Sequence, residues 1–145
     1  SRGVGDVYKR QAVALVALDK GPQLCDTYGQ PVMDQLHCFV GNQWKKHYDT
    51  PLHQVVCRLT GSIFVVGSVD TTGPQLAARM QELYEQMPHE CITTTGMMRR
   101  VPFTLSCGAA GLEDVSAKNW QALYELCDAR LREAQNAGGD QMRAE

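Results

Sequence analysis

Ala12-Val13-Ala14-Leu15-Val16-Ala17-Leu18 is an unbroken apolar run ending at Asp19, the pattern of a strand covered on both faces. Asp19-Lys20-Gly21-Pro22 breaks it, and Gln23 to Gly29 predicts a short helical turn closed by glycine. From about Pro31 to Tyr48 the apolar residues Val32, Leu36, Phe39, Val40 and Trp44 recur at helical spacing, and Pro31 suits a first turn. Asp49-Thr50-Pro51 reads as a loop. Val55-Val56-Cys57-Arg58-Leu59 and Ile63-Phe64-Val65-Val66 then flank a tight reversal at Thr60-Gly61, which predicts a β-hairpin.

Asp70 to Pro74 carries cap and first-turn chemistry, and Leu76, Met80, Leu83, Tyr84 and Met87 share one face of a helix over 75–87. Pro88 stops it, and Ile92-Thr93-Thr94-Thr95 predicts a short edge strand. Arg100 to Ala110 reads as one further strand, its Gly108 marking a close backbone approach. Ser116 is the expected cap of a long helix to about Gln135, with Trp120, Leu123, Tyr124, Cys127, Leu131 and Ala134 along one side. The order β, α, α, hairpin, α, β, α predicts an α/β (α+β) fold, a central, mostly antiparallel sheet of about five strands flanked by helices.

With 145 residues and 43% hydrophobic content, the chain suits one domain. A net charge of −2 gives no electrostatic footprint for nucleic acid or an acidic membrane. No apolar run approaches the length of a membrane span, and no secretory signal is visible, so a cytoplasmic location is expected. The six cysteines lack C-x-x-C spacing and read as reduced, mostly core residues. His37-Cys38 and His89-Glu90-Cys91 lack the paired spacing of a zinc site. Residues 1–11 have no helix or strand period and read as a translation artefact or disordered tail, which leaves 12–145 as the domain.

Four stretches carry a resemblance. Asp26-Thr27-Tyr28-Gly29-Gln30, with Asp34 beyond it, is similar to an Asn-Asp-Thr-Tyr-Gly-His segment. Thr60-Gly61-Ser62-Ile63-Phe64 stands in the frame of Gly-Gly-Asp/Glu-Glu-Phe. Thr104 to Ala110 is similar to Thr-Val-Ser-Ile-Gly-Val-Ala, and Asp128 to Gly138 to an Ala-Asp-x-Ala-Leu-Tyr-x-Ala-Lys-x-x-Gly helix. Together they resemble the GGDEF domains, bacterial modules that make cyclic di-GMP from two GTP.

That resemblance implies a nucleotidyl-cyclase-like fold and a chemistry in which acidic side chains hold metal ions against a triphosphate. Here the third and fourth signature positions are Ser62 and Ile63, and neither can replace a carboxylate around Mg²⁺. The acid at the end of the first strand falls on Ala17 in an ungapped match, and on Asp19 if two residues are deleted near Gly21-Pro22. The guanine-contacting asparagine becomes Cys25, whereas Asp34 matches the second guanine contact. The phosphate-facing lysine of the last helix becomes Gln135, and the neighbouring tyrosine Arg132. The inhibitory R-x-x-D would be Pro51-Leu52-His53-Gln54, without its arginine or aspartate.

The expected function is therefore that of a catalytically degenerate GGDEF domain, a regulatory or interaction module in bacterial cyclic di-GMP signalling. No catalytic residue is intact at Ser62, Ile63 and Gln135. Two alternatives are a GTP-binding switch that uses Asp34, and a residual diguanylate cyclase, for which alone Mg²⁺ and GTP would be cofactors. The partners implied are a protein or an upstream sensor domain, a second copy of the chain, and GTP under the switch alternative. Gly138-Gly139-Asp140 looks like a displaced signature but follows a helix, so a glycine stop with polar fraying is expected there. Arg99-Arg100 reads as a solvated sheet edge.

Overall fold

A computed structural model of the chain describes residues 10–48, 54–94 and 96–145, and for residues 47–48 and 54–60 the backbone alone. Its elements are β1 (Ala12–Leu18), α1 (Gly21–Tyr28), α2 (Gln30–Tyr48), β2 (Gln54–Thr60), β3 (Ile63–Ser68) and α3 (Gly73–Gln86). They continue as β4 (Glu90–Thr93), β5 (Arg99–Pro102), β6 (Leu105–Gly111), α4 (Trp120–Asn136) and β7 (Gln141–Arg143). Five strands form one sheet in the order β2-β3-β1-β6-β7, antiparallel except for the β6–β7 edge, and β4 and β5 form a separate antiparallel pair.

β1 is the central strand because it is apolar at every position, and strand alternation sends its side chains into two cores. Ala14, Val16 and Leu18 pack with Val32, Leu36, Val40 and Trp44 of α2 and Leu76, Met80 and Leu83 of α3. Leu15 and Ala17 pack with Leu123, Cys127 and Leu131 of α4. α4 rests directly on β6: a Cβ at Gly108 would stand 2.1 Å from the Cys127 carbonyl oxygen, so only glycine fits. Thr72 caps α3 in a reciprocal capping box with Gln75.

Several expectations shift. β1 does end before Asp19, but α1 begins at Gly21 rather than Gln23, with Lys20 in a left-handed conformation at its start and Pro22 inside its first turn. The hairpin reversal falls on Gly61-Ser62, with Thr60 still paired to Ile63 across a register irregularity. The single strand expected over 100–110 is two strands in different sheets. The Phe103 amide bonds the His89 carbonyl, and the Asp19 amide bonds the Thr104 carbonyl, which moves the chain from one sheet to the other. α4 is capped by Asn119, whose side chain accepts from the Ala122 amide at 2.9 Å, not by Ser116. Trp120, at its first position, is 50% exposed rather than buried.

Gly138-Gly139-Asp140 does not fray. It is an ordered turn of three consecutive left-handed residues that delivers β7 parallel to β6. Of the segment read as a tail, residues 1–9 lie outside the described residues. The Arg10 and Gln11 carbonyls accept from the Thr71 and Leu112 amides. The predicted loop at 49–51 and the positions Pro51 to His53 also lie outside the described residues. Cys91, Cys107 and Cys127 are buried, Cys25 is half-buried and Cys38 exposed, and all five are free thiols. Among the described residues, no helix is long and apolar enough to cross a membrane.

Candidate functional site

Where β1 ends, the chain turns through Asp19 and Lys20 into α1 and opens a cleft of about 550 Å³. The hairpin tip forms one wall with Ser62 and Ile63. The C-terminal half of α4 forms another with Asp128, Leu131, Arg132 and Gln135, and Gly138 and Gly139 close the end. Four positions singled out from sequence, Asp19, Ser62, Ile63 and Gln135, therefore meet at one place, as do Ala17 and Arg132.

The polar character of that place differs from what an acid-lined cleft would have. Ala17 is the register partner of Ile63 on β3 and of Ser106 on β6, so the last full turn of the β1 pleat is apolar on the hairpin side. Asp19 is buried, and its carboxylate is held by three donors: the Thr104 hydroxyl at 2.6 Å, the Ser106 hydroxyl at 2.7 Å and the Asp140 amide at 2.8 Å. A Cβ on Gly139, already at φ 75, would stand 2.7 Å from the Asp19 carboxyl carbon. The Asp19 carboxylate thus anchors the β6 entry and the turn into β7.

The same turn is tied on its other side. Tyr84 donates to Asp140 Oδ1 at 2.5 Å and accepts from the Leu105 amide at 3.1 Å, while its ring stacks on His89 at 4.3 Å. Burial first, and then the Asp140 carboxylate, push the Tyr84 hydroxyl well above its ordinary range.

The second carboxylate on the cleft, Asp128, is paired along its own helix with Arg132 at 2.9 Å. Gln135 stands one turn further on, and Lys20 lines the opposite wall. No described side chain caps the first turn of α1, and Pro22 in that turn carries no N–H. Among the described residues, no three His, Cys, Asp or Glu side chains converge.

Cys25 and Asp34 are not among the described residues that line this cleft. They are joined to each other through Gln30, whose Oε1 lies 3.6 Å from Cys25 Sγ and whose Nε2 donates to Asp34 Oδ1 at 2.8 Å. Asp34 is exposed on the first turns of α2. His37, set aside as a zinc ligand from its spacing, is buried on α2 with Nε2 2.7 Å from Ser62 Oγ. No motif signals it, because its partner lies 25 residues away on the hairpin.

A family model described as diguanylate cyclase, GGDEF domain, matches residues 5–141. No curated protein sequence matches the chain. Among solved structures, the GGDEF domain of PA1120 (YfiN or TpbB) from Pseudomonas aeruginosa is similar at 19% identity and TM-score 0.82. The match covers 97% of this chain and 86% of that one. The coiled coil and GGDEF domain of DgcB from Caulobacter crescentus, in complex with c-di-GMP, is similar at 17% identity and TM-score 0.80, over 94% of this chain and 70% of that one. Diguanylate cyclase SiaD from Pseudomonas aeruginosa, in complex with its activator SiaC, matches at 16% identity and TM-score 0.76, over 91% of this chain and 48% of that one.

Proposed function

The chain belongs to the GGDEF domain family, and from that premise we propose that it keeps the fold of a diguanylate cyclase domain without the chemistry, and serves as a regulatory or interaction module in cyclic di-GMP signalling. The observation that carries this reading is the register pair Ala17–Ile63 with Ser62 beside it. In the ungapped match Ala17 and Ser62 stand where the family resemblance would put metal-holding carboxylates, and Ile63 where it would put the glutamate of the signature.

The residues present do not fit a magnesium–triphosphate site. Mg²⁺ demands near-octahedral oxygen ligands, normally carboxylates. Among the described side chains of the hairpin tip, Ser62 offers the one hydroxyl, and it is 2.7 Å from His37 Nε2. Asp19, the remaining strand-end acid, spends its two oxygens on three internal donors, and releasing them would leave two hydroxyls and an amide unsatisfied. Arg132 is engaged by Asp128, and Gln135 brings no charge. Loss of a single preorganised electrostatic group lowers turnover by on the order of 10²- to 10³-fold, and several are absent together.

A domain without cyclase turnover signals through what it touches. The similarity to SiaD, solved with its activator SiaC, and to DgcB, solved with its coiled coil, supports a role in protein contact. The experiment incubates the purified chain with GTP and Mg²⁺, alone and mixed with an active GGDEF domain, and measures cyclic di-GMP. No product from the chain alone and no gain in the mixture are expected. Turnover by the chain alone would overturn the reading.

A further inference from the structure

We propose that Ser62 is a nucleophile activated by His37, and that this pair hydrolyses small carboxylic esters in the cleft. Ser62 Oγ and His37 Nε2 are 2.7 Å apart, within the distance at which an imidazole takes a hydroxyl proton as it attacks. The imidazole is fixed: His37 is 5% exposed on α2, beside the fully buried Leu36 and one turn before the fully buried Val40. The hydroxyl is presented: Ser62 sits on the two-residue hairpin turn, half-exposed, on the wall of a cleft of about 550 Å³.

Two neighbours suit acyl chemistry. The start of α1 stands across from the hydroxyl, close enough that a Cβ on Gly21 would lie 3.4 Å from Ser62 Oγ. Pro22 has no N–H, so the amides of Gly21 and Gln23, with no side-chain cap, are the donors this turn brings to an oxyanion forming beside the nucleophile. Ala17, Ile63 and Leu131 supply an apolar wall for a short acyl chain.

In the first step Ser62 Oγ bonds to the ester carbonyl carbon while its proton passes to His37 Nε2. The carbon–oxygen bond to the alcohol then breaks, and the imidazolium returns that proton to the leaving oxygen. In the second step water, deprotonated by the same imidazole, attacks the acyl-serine, releases the carboxylic acid and restores the Ser62 hydroxyl. Nothing is oxidised or reduced, and no co-reactant besides water is needed.

The test treats the full chain with a fluorophosphonate probe and maps the adduct by peptide mass spectrometry, alongside release of p-nitrophenol from p-nitrophenyl butyrate. The adduct is expected on Ser62, absent in Ser62→Ala, and slowed by roughly 10²-fold or more in His37→Gln. Because the buried His37 variant can fail to fold, Ser62→Cys is measured with His37 intact. The thiol it introduces is expected to react with iodoacetamide roughly tenfold faster than the exposed Cys38. No adduct at Ser62, ester turnover unchanged in Ser62→Ala, or an introduced thiol no faster than Cys38 would each overturn the proposal and leave the pair as a bond that satisfies a buried imidazole.

Discussion

Ala17 and Ile63 face each other in the antiparallel ladder between β1 and β3, at the end of the sheet where the cleft opens. Ala17 is buried, and Ile63 packs against the same cluster as Leu15, Leu123 and Leu131. The hairpin tip has therefore become the margin of an apolar core. Introducing a carboxylate there by Ile63→Glu removes that packing without supplying a partner, at a cost of about 1–2 kcal/mol. Urea unfolding is expected to show a lower midpoint with an unchanged slope; an unchanged or raised midpoint would mean that the tip still accommodates an acid.

Asp19 offers a cleaner distinction between anchor and ligand. In Asp19→Ala the Thr104 and Ser106 hydroxyls and the Asp140 amide lose their shared acceptor, and stability is expected to fall by about 2–4 kcal/mol. Asp19→Asn, which keeps one acceptor oxygen, is expected to fall by less. A carboxylate kept for a metal would behave the other way, with little loss of stability on substitution and a rise in wild-type Tm on adding Mg²⁺.

Gly108→Ala tests the seat of α4 on the sheet. The new methyl would meet the Cys127 carbonyl oxygen at 2.1 Å and the Leu131 amide nitrogen at 2.3 Å, both backbone atoms that cannot turn aside. A loss of about 3 kcal/mol or more is expected, which lowers Tm by roughly 10 °C in a chain of this size. Scanning calorimetry reads it directly, and a shift of a degree or two would show that α4 can slide.

Alkaline pH should loosen the fold from about pH 9 upwards. Burial pushes the Cys127 thiol from 9.0 up to about 12, and raises Cys107 likewise. Burial, with Asp140, raises Tyr84 above its ordinary 10.0. Their contribution to stability is complete below the unfolded-state values. Above them the unfolded chain gives up protons that the folded chain still holds, so stability falls by roughly 1.4 kcal/mol per pH unit for each group. Denaturant midpoints measured from pH 8 to 11 are expected to decline, and less steeply in Cys127→Ala; a flat profile would contradict the burial of these groups.

Much of this architecture is written in periodicity. β1, the long helix α2, the hairpin and α3 are runs whose apolar spacing has one reading, and each lies within a few residues of where that spacing puts it. The misplaced boundaries have physical causes. The apolar pattern runs straight through Pro102, so nothing local says that β5 and β6 belong to different sheets. Ser116 and Asn119 are both competent caps, and only packing chooses Asn119. β7 is three residues long and partly polar, held by the Tyr84–Asp140–Asp19 network rather than by its own pattern. At the site, motif frame alone brought out Ser62, Ile63, Asp19 and Gln135, which share one cleft. Cys25 and Asp34 came from the same frame yet form their own link through Gln30. His37 had no motif to announce it.

Calorimetric titration of the purified chain with GTP in the presence of Mg²⁺ tests the central claim most directly, since it reads the metal–triphosphate site itself rather than its turnover. With Ala17, Ser62 and Ile63 where carboxylates would be needed, the expected result is no heat of binding up to millimolar GTP, with or without Mg²⁺, and no ligand-dependent rise in Tm. Micromolar binding that requires Mg²⁺ and disappears in Asp19→Asn would contradict it, and would return Asp19 from anchor to metal ligand.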